Sequence, residues 1–512
     1  MASGGLMPSS DPLRDLELLI RSRYGLIVLS TDEEDRAETL LRHVADRLKA
    51  QFYLWTRTRG FQCADLPQNT LQAARDLPAA LRLVGSSRFA AVYHFQGIAG
   101  ELNEPEIESL LQDAARALSG QLGAVVLTGE DLHLPARLRA HAAMVSLPPL
   151  DAQEYRELLQ GILRDLSRRS KIRVEVSDSD LNRILGGLLG LTRLEAEKVL
   201  TRAIIEDGRL AADDIRHVIE AKKAIVERDG LLEYTPSDAH LSGIADLAGL
   251  KTWLSQRRLI LEDPQKAAAF GLSFPKGVLL IGVQGCGKSL CAKAVAAEWG
   301  LPLLKLDPSN LYNKYMGESE RNFKRAMRTA ERLAPVVLWI DEIEKAFASA
   351  GGEQDGGTSQ RIFGSFLAWM QDRKGDVFVV ATANNIERLP PEFVRKGRFD
   401  EIFFVDLPVP EARRALFEIH LRRRGQDPRT FDLDALVESS DGFSGAEIEQ
   451  AILSSLYTVF AASSTLSTGS LLDELRRTRP LSKTMADQID ALRTWARGRA
   501  VSANEPPRIP DA

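Results

Sequence analysis

Cysteine is scarce in this chain. Cys63, Cys286 and Cys291 are the three in 512 residues, and no two of them are spaced C-x-x-C. An odd count argues against a disulfide framework, and the missing pairs remove the usual ligands of a structural zinc site. His-Glu-x-x-His is absent too, which sets aside a fused zinc protease. No apolar run approaches the roughly 20 residues that cross a bilayer, so no membrane partner is expected. The N-terminus has no charged stretch leading into an apolar one, so no secretory leader is read there and the cytoplasm is the default compartment. Net charge is −5 and no basic stripe stands out, which gives no electrostatic reason to expect nucleic acid. What remains is an ordinary globular composition, 44% hydrophobic and 27% charged, in a chain long enough for two or three domains.

One octapeptide carries the most information. Residues 282–289 read Gly-Val-Gln-Gly-Cys-Gly-Lys-Ser, the G-x-x-x-x-G-K-S spacing of a phosphate-binding loop. The apolar run 277–281 before it reads as a buried strand, and residues 290–299, from Leu290 to Trp299, read as a helix. The loop glycines Gly282, Gly285 and Gly287 let the backbone N–H groups wrap a phosphate, and the helix N-terminus adds partial positive charge. Lys288 can reach the β- and γ-phosphates, and Ser289 can ligate Mg²⁺. The alternative is a chance glycine-rich turn.

Two further strands fit the same chemistry. Residues 335–342 form an apolar run ending in Asp341 and Glu342, the Walker B arrangement. Asp341 would hold Mg²⁺ and Glu342 would polarise an attacking water. Residues 376–383 form another apolar run, which ends at Asn384. A polar residue there can orient the water beside the γ-phosphate; alternatively, Asn384 and Asn385 only begin a turn.

The first half repeats this plan without its equipment. Residues 24–30 read as a strand that runs into Thr31-Asp32-Glu33-Glu34-Asp35, where an acidic cluster would repel phosphate. Residues 90–97 stand where Walker B would be but lack Asp-Glu, and 123–129 resemble the Asn384 strand. Residues 190–196 parallel 442–448. The offset stays near 252–255 residues, which marks an internal repeat. The alternative is an unrelated α/β adaptor. Residues 227–240, with Asp229-Gly230 and Thr235-Pro236-Ser237, read as the joint between halves.

Residues 389–400 make a family resemblance specific. Leu389-Pro390-Pro391-Glu392-Phe393-Val394-Arg395-Lys396-Gly397-Arg398-Phe399-Asp400 resembles the second region of homology of AAA ATPases, with its x-R-x-G-R-F-D signature. The resemblance implies that Arg395 and Arg398 act as arginine fingers on a neighbouring subunit's nucleotide, a task suited to a permanently charged bidentate group. It also implies that residues 244–250 back the adenine pocket, that His420 stands on its adenine and ribose side, and that Gly445 and Ala446 bring the lid close to the nucleotide. By the same resemblance Tyr315, Met316 and Gly317 form a pore loop that grips polypeptide, and residues 348–359 form a second one. The degenerate first half, Asp341–Ala346, the run 366–371 and the C-terminal stretch from Arg479 make the chain similar to AAA ATPases of the hypothetical chloroplast reading-frame family of plastids and bacteria.

The implied fold class is α/β, a P-loop AAA+ module with a helical lid preceded by a degenerate AAA-like α/β domain. The expected domains are 1–235 without Walker motifs, 236–410 as the large ATPase subdomain, 411–502 as the helical lid and 503–512 as a loose tail. The implied function is hydrolysis of ATP with Mg²⁺ by an oligomeric ring, a hexamer in the family, that remodels a protein substrate. An alternative is an ATP-gated regulatory or scaffold protein whose first half binds partners. Cys286 stands where the family usually has Thr. A thiol at a helix N-terminus can be reactive, so its oxidation would block nucleotide binding; the alternative is a tolerated small residue.

Overall fold

A computed structural model of the chain describes residues 11–63, 74–129, 132, 134–168, 172–235, 247–311, 318–347, 358–373, 375–386, 389–395 and 397–504. By compactness the chain divides into two units, Met1–Lys171 with Leu191–Arg202, and Ile172–Gly190 with Ala203–Ala512.

The first unit carries strands β1 (Leu26–Ser30), β2 (Gln51–Thr56), β3 (Gly60–Cys63), β4 (Ala91–Gln96), β5 (Ala124–Thr128) and β6 (Ala142–Ser146). They form one sheet in the order β3-β2-β4-β5-β1-β6, parallel except where β3 turns back on β2. The apolar runs are unbroken because helices cover both faces. On β1, Leu26 and Val28 join one core with Phe95 and Leu111, and Ile27 and Leu29 join another with Leu16 and Leu41.

The second unit begins with a short parallel pair, β7 (Arg173–Glu175) and β8 (Arg209–Ala211). Its main sheet contains β9 (Leu232–Thr235), β10 (Gly277–Gly282), β11 (Leu303–Leu306), β12 (Val336–Ile340), β13 (Val377–Ala383), β14 (Glu401–Val405) and β15 (Val501–Ser502). The order is β15-β14-β10-β13-β12-β11-β9, with only β9 antiparallel to its neighbour. Leu279 and Ile281 pack on one face with Leu338 and Ile340, while Val278 and Leu280 pack on the other with Val337 and Trp339. Each such side chain contributes about 1.5–3 kcal/mol when fully buried. A slip of one residue would send every side chain of the strand to the opposite core, so the register is strongly held. Helices Pro410–Arg423, Leu433–Ser439, Gly445–Ala461 and Thr468–Arg477 surround a separate core built on Phe417, Phe443, Ile452 and Leu471.

Without β3, β9 and β15 the two large sheets share one strand order, β6-β1-β5-β4-β2 and β14-β10-β13-β12-β11. The repeat read in the sequence is thus a repeat of topology. Two details depart from the sequence reading. The compact units do not divide at residue 235: β9 pairs with β11 through Tyr234 and Leu304, and Tyr234 is buried among the ATPase-side core residues. In the same unit, a side chain at Gly190 would meet the backbone of Arg332 and Leu333 at under 3 Å. The tail expected from residue 503 is also not loose at its start. Val501 and Ser502 pair with β14, Ala503 is fully buried, and its N–H donates to Phe404 O at 2.9 Å. Among the described residues no helix is long and apolar enough to cross a membrane.

Candidate active site

The loop after β10 is shaped by where its glycines stand. Gly282 has φ +154°, and a Cβ there would lie 2.0 Å from Val405 O on the adjacent β14. Gly285, at φ +78°, faces the lid: Ala446 N–H donates to Gly285 O at 3.1 Å, and a Cβ on Gly285 would stand 3.0 Å from Ser444 Oγ. Ser444 caps the helix Gly445–Ala461 in a reciprocal capping box with Glu447, which fixes Gly445 and Ala446 against the loop. Lys288 opens the helix Lys288–Trp299 and is buried. Its Nζ donates to Gly282 O at 2.9 Å and Val283 O at 2.7 Å, and burial pushes its pKa below the ordinary lysine value.

A connected set of polar groups lines the same side. Ser289 Oγ donates to Asp341 Oδ1 at 3.3 Å, and Thr382 Oγ1 donates to the same oxygen at 2.6 Å. The Thr382 hydroxyl also accepts from Glu342 N–H at 3.0 Å. Asn384 Nδ2 donates to Glu342 Oε1 at 3.1 Å, while Lys345 holds Oε2. Glu342 itself has φ +48°, the left-handed region that non-glycine residues rarely adopt. Behind it the buried Glu344 accepts from the backbone N–H groups of Asn384, at 2.9 Å, and Asn385, at 3.3 Å. Lys288, Ser289, Asp341, Glu342, Thr382 and Asn384 border a cavity of about 540 Å³ that also reaches Cys286, Leu290, Leu247, Pro408, His420, Arg423 and Asn504.

His420 is buried, with Glu449 Oε1 3.5 Å from its Nδ1. Burial lowers its pKa, which keeps the ring neutral near pH 7. Arg395 and Arg398 are not brought to the cavity. Arg395 is exposed, and Arg398 donates to Glu392 O. Tyr315, Met316 and Gly317 lie outside the described residues, as do residues 348–357 of the second loop.

The first unit has the same layout with a different filling. Its β4 ends in Gln96-Gly97 where β12 runs into Asp341-Glu342, and Gly97 has φ +72°. Beyond β1, the carboxylate of Glu33 is bound on both oxygens. Its Oε1 accepts from Arg193 N–H at 2.6 Å and its Oε2 from Arg36 at 3.1 Å. Arg36 also donates to Pro148 O at 2.6 Å and to Glu154 at 3.1 Å. A paired carboxylate therefore stands at the N-cap of the helix after β1, the position that Gly287 holds in the helix after β10.

Comparison with known proteins agrees with this layout. The model of the AAA family, ATPases associated with various cellular activities, matches residues 278–407. Models of the N-terminal and second domains of SpoVK-like AAA ATPases match 13–147 and 153–229. The AAA domain-containing protein ycf46 of Pyropia yezoensis is 35% identical over 497 residues, 96% of this chain and 99% of that protein. The chain belongs to the ycf46 family of AAA ATPases. The ycf46 protein of Guillardia theta is 33% identical over 489 residues, 94% of each chain. A proteasome-activating nucleotidase of Pyrococcus horikoshii is 37% identical over 212 residues, 40% of this chain and 53% of that one.

As an AAA ATPase of the ycf46 family, the chain is an ATP hydrolase. The hydroxyl of Ser289 and the carboxylate of Asp341 are hard oxygen donors set beside each other, a pair that suits Mg²⁺ shared with phosphate oxygens. Among the described residues no cluster of three or more His, Cys, Asp or Glu could hold a metal without such help. Sequence reasoning missed several residues of this site, among them Thr382, Glu344, Arg423 and Asn504. Thr382 is hidden in an apolar strand, Glu344 reads as the first turn of a helix, and Arg423 reads as part of a solvated basic face. Asn504 was assigned to the tail.

Proposed function

We propose that this cavity binds ATP with Mg²⁺ and that Glu342 activates the water that attacks the γ-phosphate. The observation that carries the reading is the bonded chain Ser289–Asp341–Thr382–Glu342–Asn384, assembled from the loop, β12 and β13 around one opening. The loop N–H groups and Lys288 would bind the phosphates, with Lys288 exchanging its two backbone carbonyls for phosphate oxygens. Ser289 and Asp341 would hold Mg²⁺, which when bound neutralises charge on the β- and γ-phosphates. Asn384 orients Glu342 and the water, and Gly445 and Ala446 let the lid follow the nucleotide. Leu247 and His420 would border the base and ribose.

The working form is a ring in which Arg395 and Arg398 reach the next subunit's ATP. Their distance from their own cavity and the exposure of Arg395 support that arrangement. The ring remodels a protein substrate gripped by the loop around Tyr315. A regulatory reading is favoured by one observation, the bound carboxylate of Glu33 in the first unit, which makes that unit a fixed platform rather than a second motor.

Light scattering on Glu342→Gln, with and without ATP, tests the ring. Growth with ATP to roughly six chains is expected for closed cyclic symmetry. A monomer in both conditions would leave the two arginines nothing to act on. Tyr315→Ala then separates the readings: the remodeller keeps ATP hydrolysis and loses its action on a protein, whereas the regulator changes in neither.

A further inference from the structure

The last described strand, β15, leads within two residues to Asn504 in the wall of the cavity. β15 pairs in parallel with β14, Phe403 with Val501 and Phe404 with Ser502. The next residue, Ala503, is fully buried, and its carbonyl accepts from Gly249 N–H at 3.0 Å and Leu250 N–H at 3.2 Å in the first turn of the helix Ala248–Glu262. Asn504 follows, and its Oδ1 accepts from Asp406 N–H at 3.4 Å. Asp406 is itself fixed, because Arg493 grips its carboxylate through Nε at 2.9 Å and Nη2 at 3.0 Å. Three separate segments therefore hold Asn504 at the cavity wall that it shares with Asp406, Leu247 and His420.

Its place in the sheet says which part of the nucleotide it meets. In the order β15-β14-β10-β13-β12, the phosphate loop follows β10 and the catalytic carboxylates follow β12. β15 is two strands from β10 on the opposite side, roughly 10 Å at the usual interstrand spacing. Asn504 thus stands away from the γ-phosphate, beside the turn that carries Leu247. An amide oxygen can accept two hydrogen bonds, so Oδ1 can take the 6-amino group of adenine while it keeps Asp406 N–H.

We propose that Asn504 is a specificity residue for the base, reading the 6-amino edge of ATP from a strand that lies beyond the AAA-matched segment. This rests on the reading that ATP occupies the cavity, but not on the ring or on any protein substrate. A site built to hydrogen-bond a group discriminates against the analogue that lacks it.

The test is a cycle between residue and ligand. Equilibrium binding of ATP and of purine riboside triphosphate, which has no 6-amino group, is measured for the whole chain and for Asn504→Ala. The unmodified chain should prefer ATP by roughly 5- to 10-fold, the worth of one hydrogen bond, and the variant should bind both alike. An unchanged preference in Asn504→Ala, or no preference in the unmodified chain, overturns the proposal. Should Asn504→Ala fail to fold, Asn504→Ser keeps a polar group too short to reach and is read in the same way. Lys288→Ala separates this from the underlying site: it should lose both ligands equally, and undiminished binding there would refute the nucleotide assignment itself.

Discussion

Thr382→Val tests whether the geometry around Glu342 matters to the chemistry. Valine keeps the shape and branching of threonine and removes only the hydroxyl. That hydroxyl does two things at once in a buried position: it donates to Asp341 at 2.6 Å and accepts from Glu342 N–H at 3.0 Å. A hydrogen bond to a charged carboxylate is worth about 1.5–3 kcal/mol, and an N–H left without a partner costs about 1–3 kcal/mol. The second cost falls where Glu342 already holds an unfavourable φ of +48°, so the backbone there has reason to relax and carry the carboxylate with it. If the worth of the first bond is expressed in the transition state, kcat falls roughly 10- to 150-fold, since about 1.4 kcal/mol is tenfold. Steady-state ATPase assays on Thr382→Val and Thr382→Ser give the answer. The serine variant keeps the hydroxyl and should recover most of the rate. A valine variant as fast as the unmodified chain would mean that Thr382 positions nothing of consequence.

Other consequences can be checked separately. Arg395→Ala and Arg398→Ala should bind ATP normally and lose hydrolysis by a factor on the order of 10³–10⁵, the worth of an arginine finger; a normal rate in either removes that residue from the role. His94 is buried in the first unit with Nε2 2.9 Å from Thr128 Oγ1, and burial lowers its pKa from 6.5 to about 4. The unfolded chain takes up that proton near 6.5 and the folded unit only near about 4, so stability should fall between those values at about 1.4 kcal/mol per pH unit. Urea midpoints at pH 7 and pH 5 measure this, and His94→Gln should flatten the dependence; an equal slope in the variant would point to other groups. Burial pushes the Cys291 thiol up to about 12, whereas Cys286 is half-buried at the cavity. Peroxide should therefore inactivate through Cys286 and ATP should slow it, an expectation contradicted by equal loss of activity in Cys286→Ser.

What could be read from sequence was what is local. Eight consecutive residues specify the phosphate loop, and an apolar strand ending in Asp341-Glu342 specifies its partner. The structure gathers both with Asn384 because parallel strands of this order deliver their C-terminal ends to one edge. The residues that sequence reading overlooked depend on distance along the chain. Asn504 meets Asp406 across 98 residues. Thr382 looked like one more β-branched strand residue, and nothing in the sequence says that its hydroxyl is shared. β9 was absorbed into the joint because Pro236 and Ser237 follow it, yet the alternation of buried Leu232 and Tyr234 with exposed Glu233 was a strand signal in plain view. The repeat was legible as a periodic offset, and its lost chemistry as the acidic cluster at residues 32–35 and the missing Asp-Glu. That Glu33 would be bound by Arg36 and by the backbone N–H of Arg193 was not.

The pairing of β9 and β15 has a practical side. They are the two outermost strands of the ATPase sheet, and both come from outside the 278–407 stretch that the family model matches. A fragment trimmed to that stretch would leave β11 and β14 with rows of unpaired N–H and C=O groups, the template on which strands from other molecules add. Such a fragment should precipitate or form fibrils although every residue of the phosphate loop is present. The guards against aggregation in this enzyme are thus carried by its least enzyme-like parts.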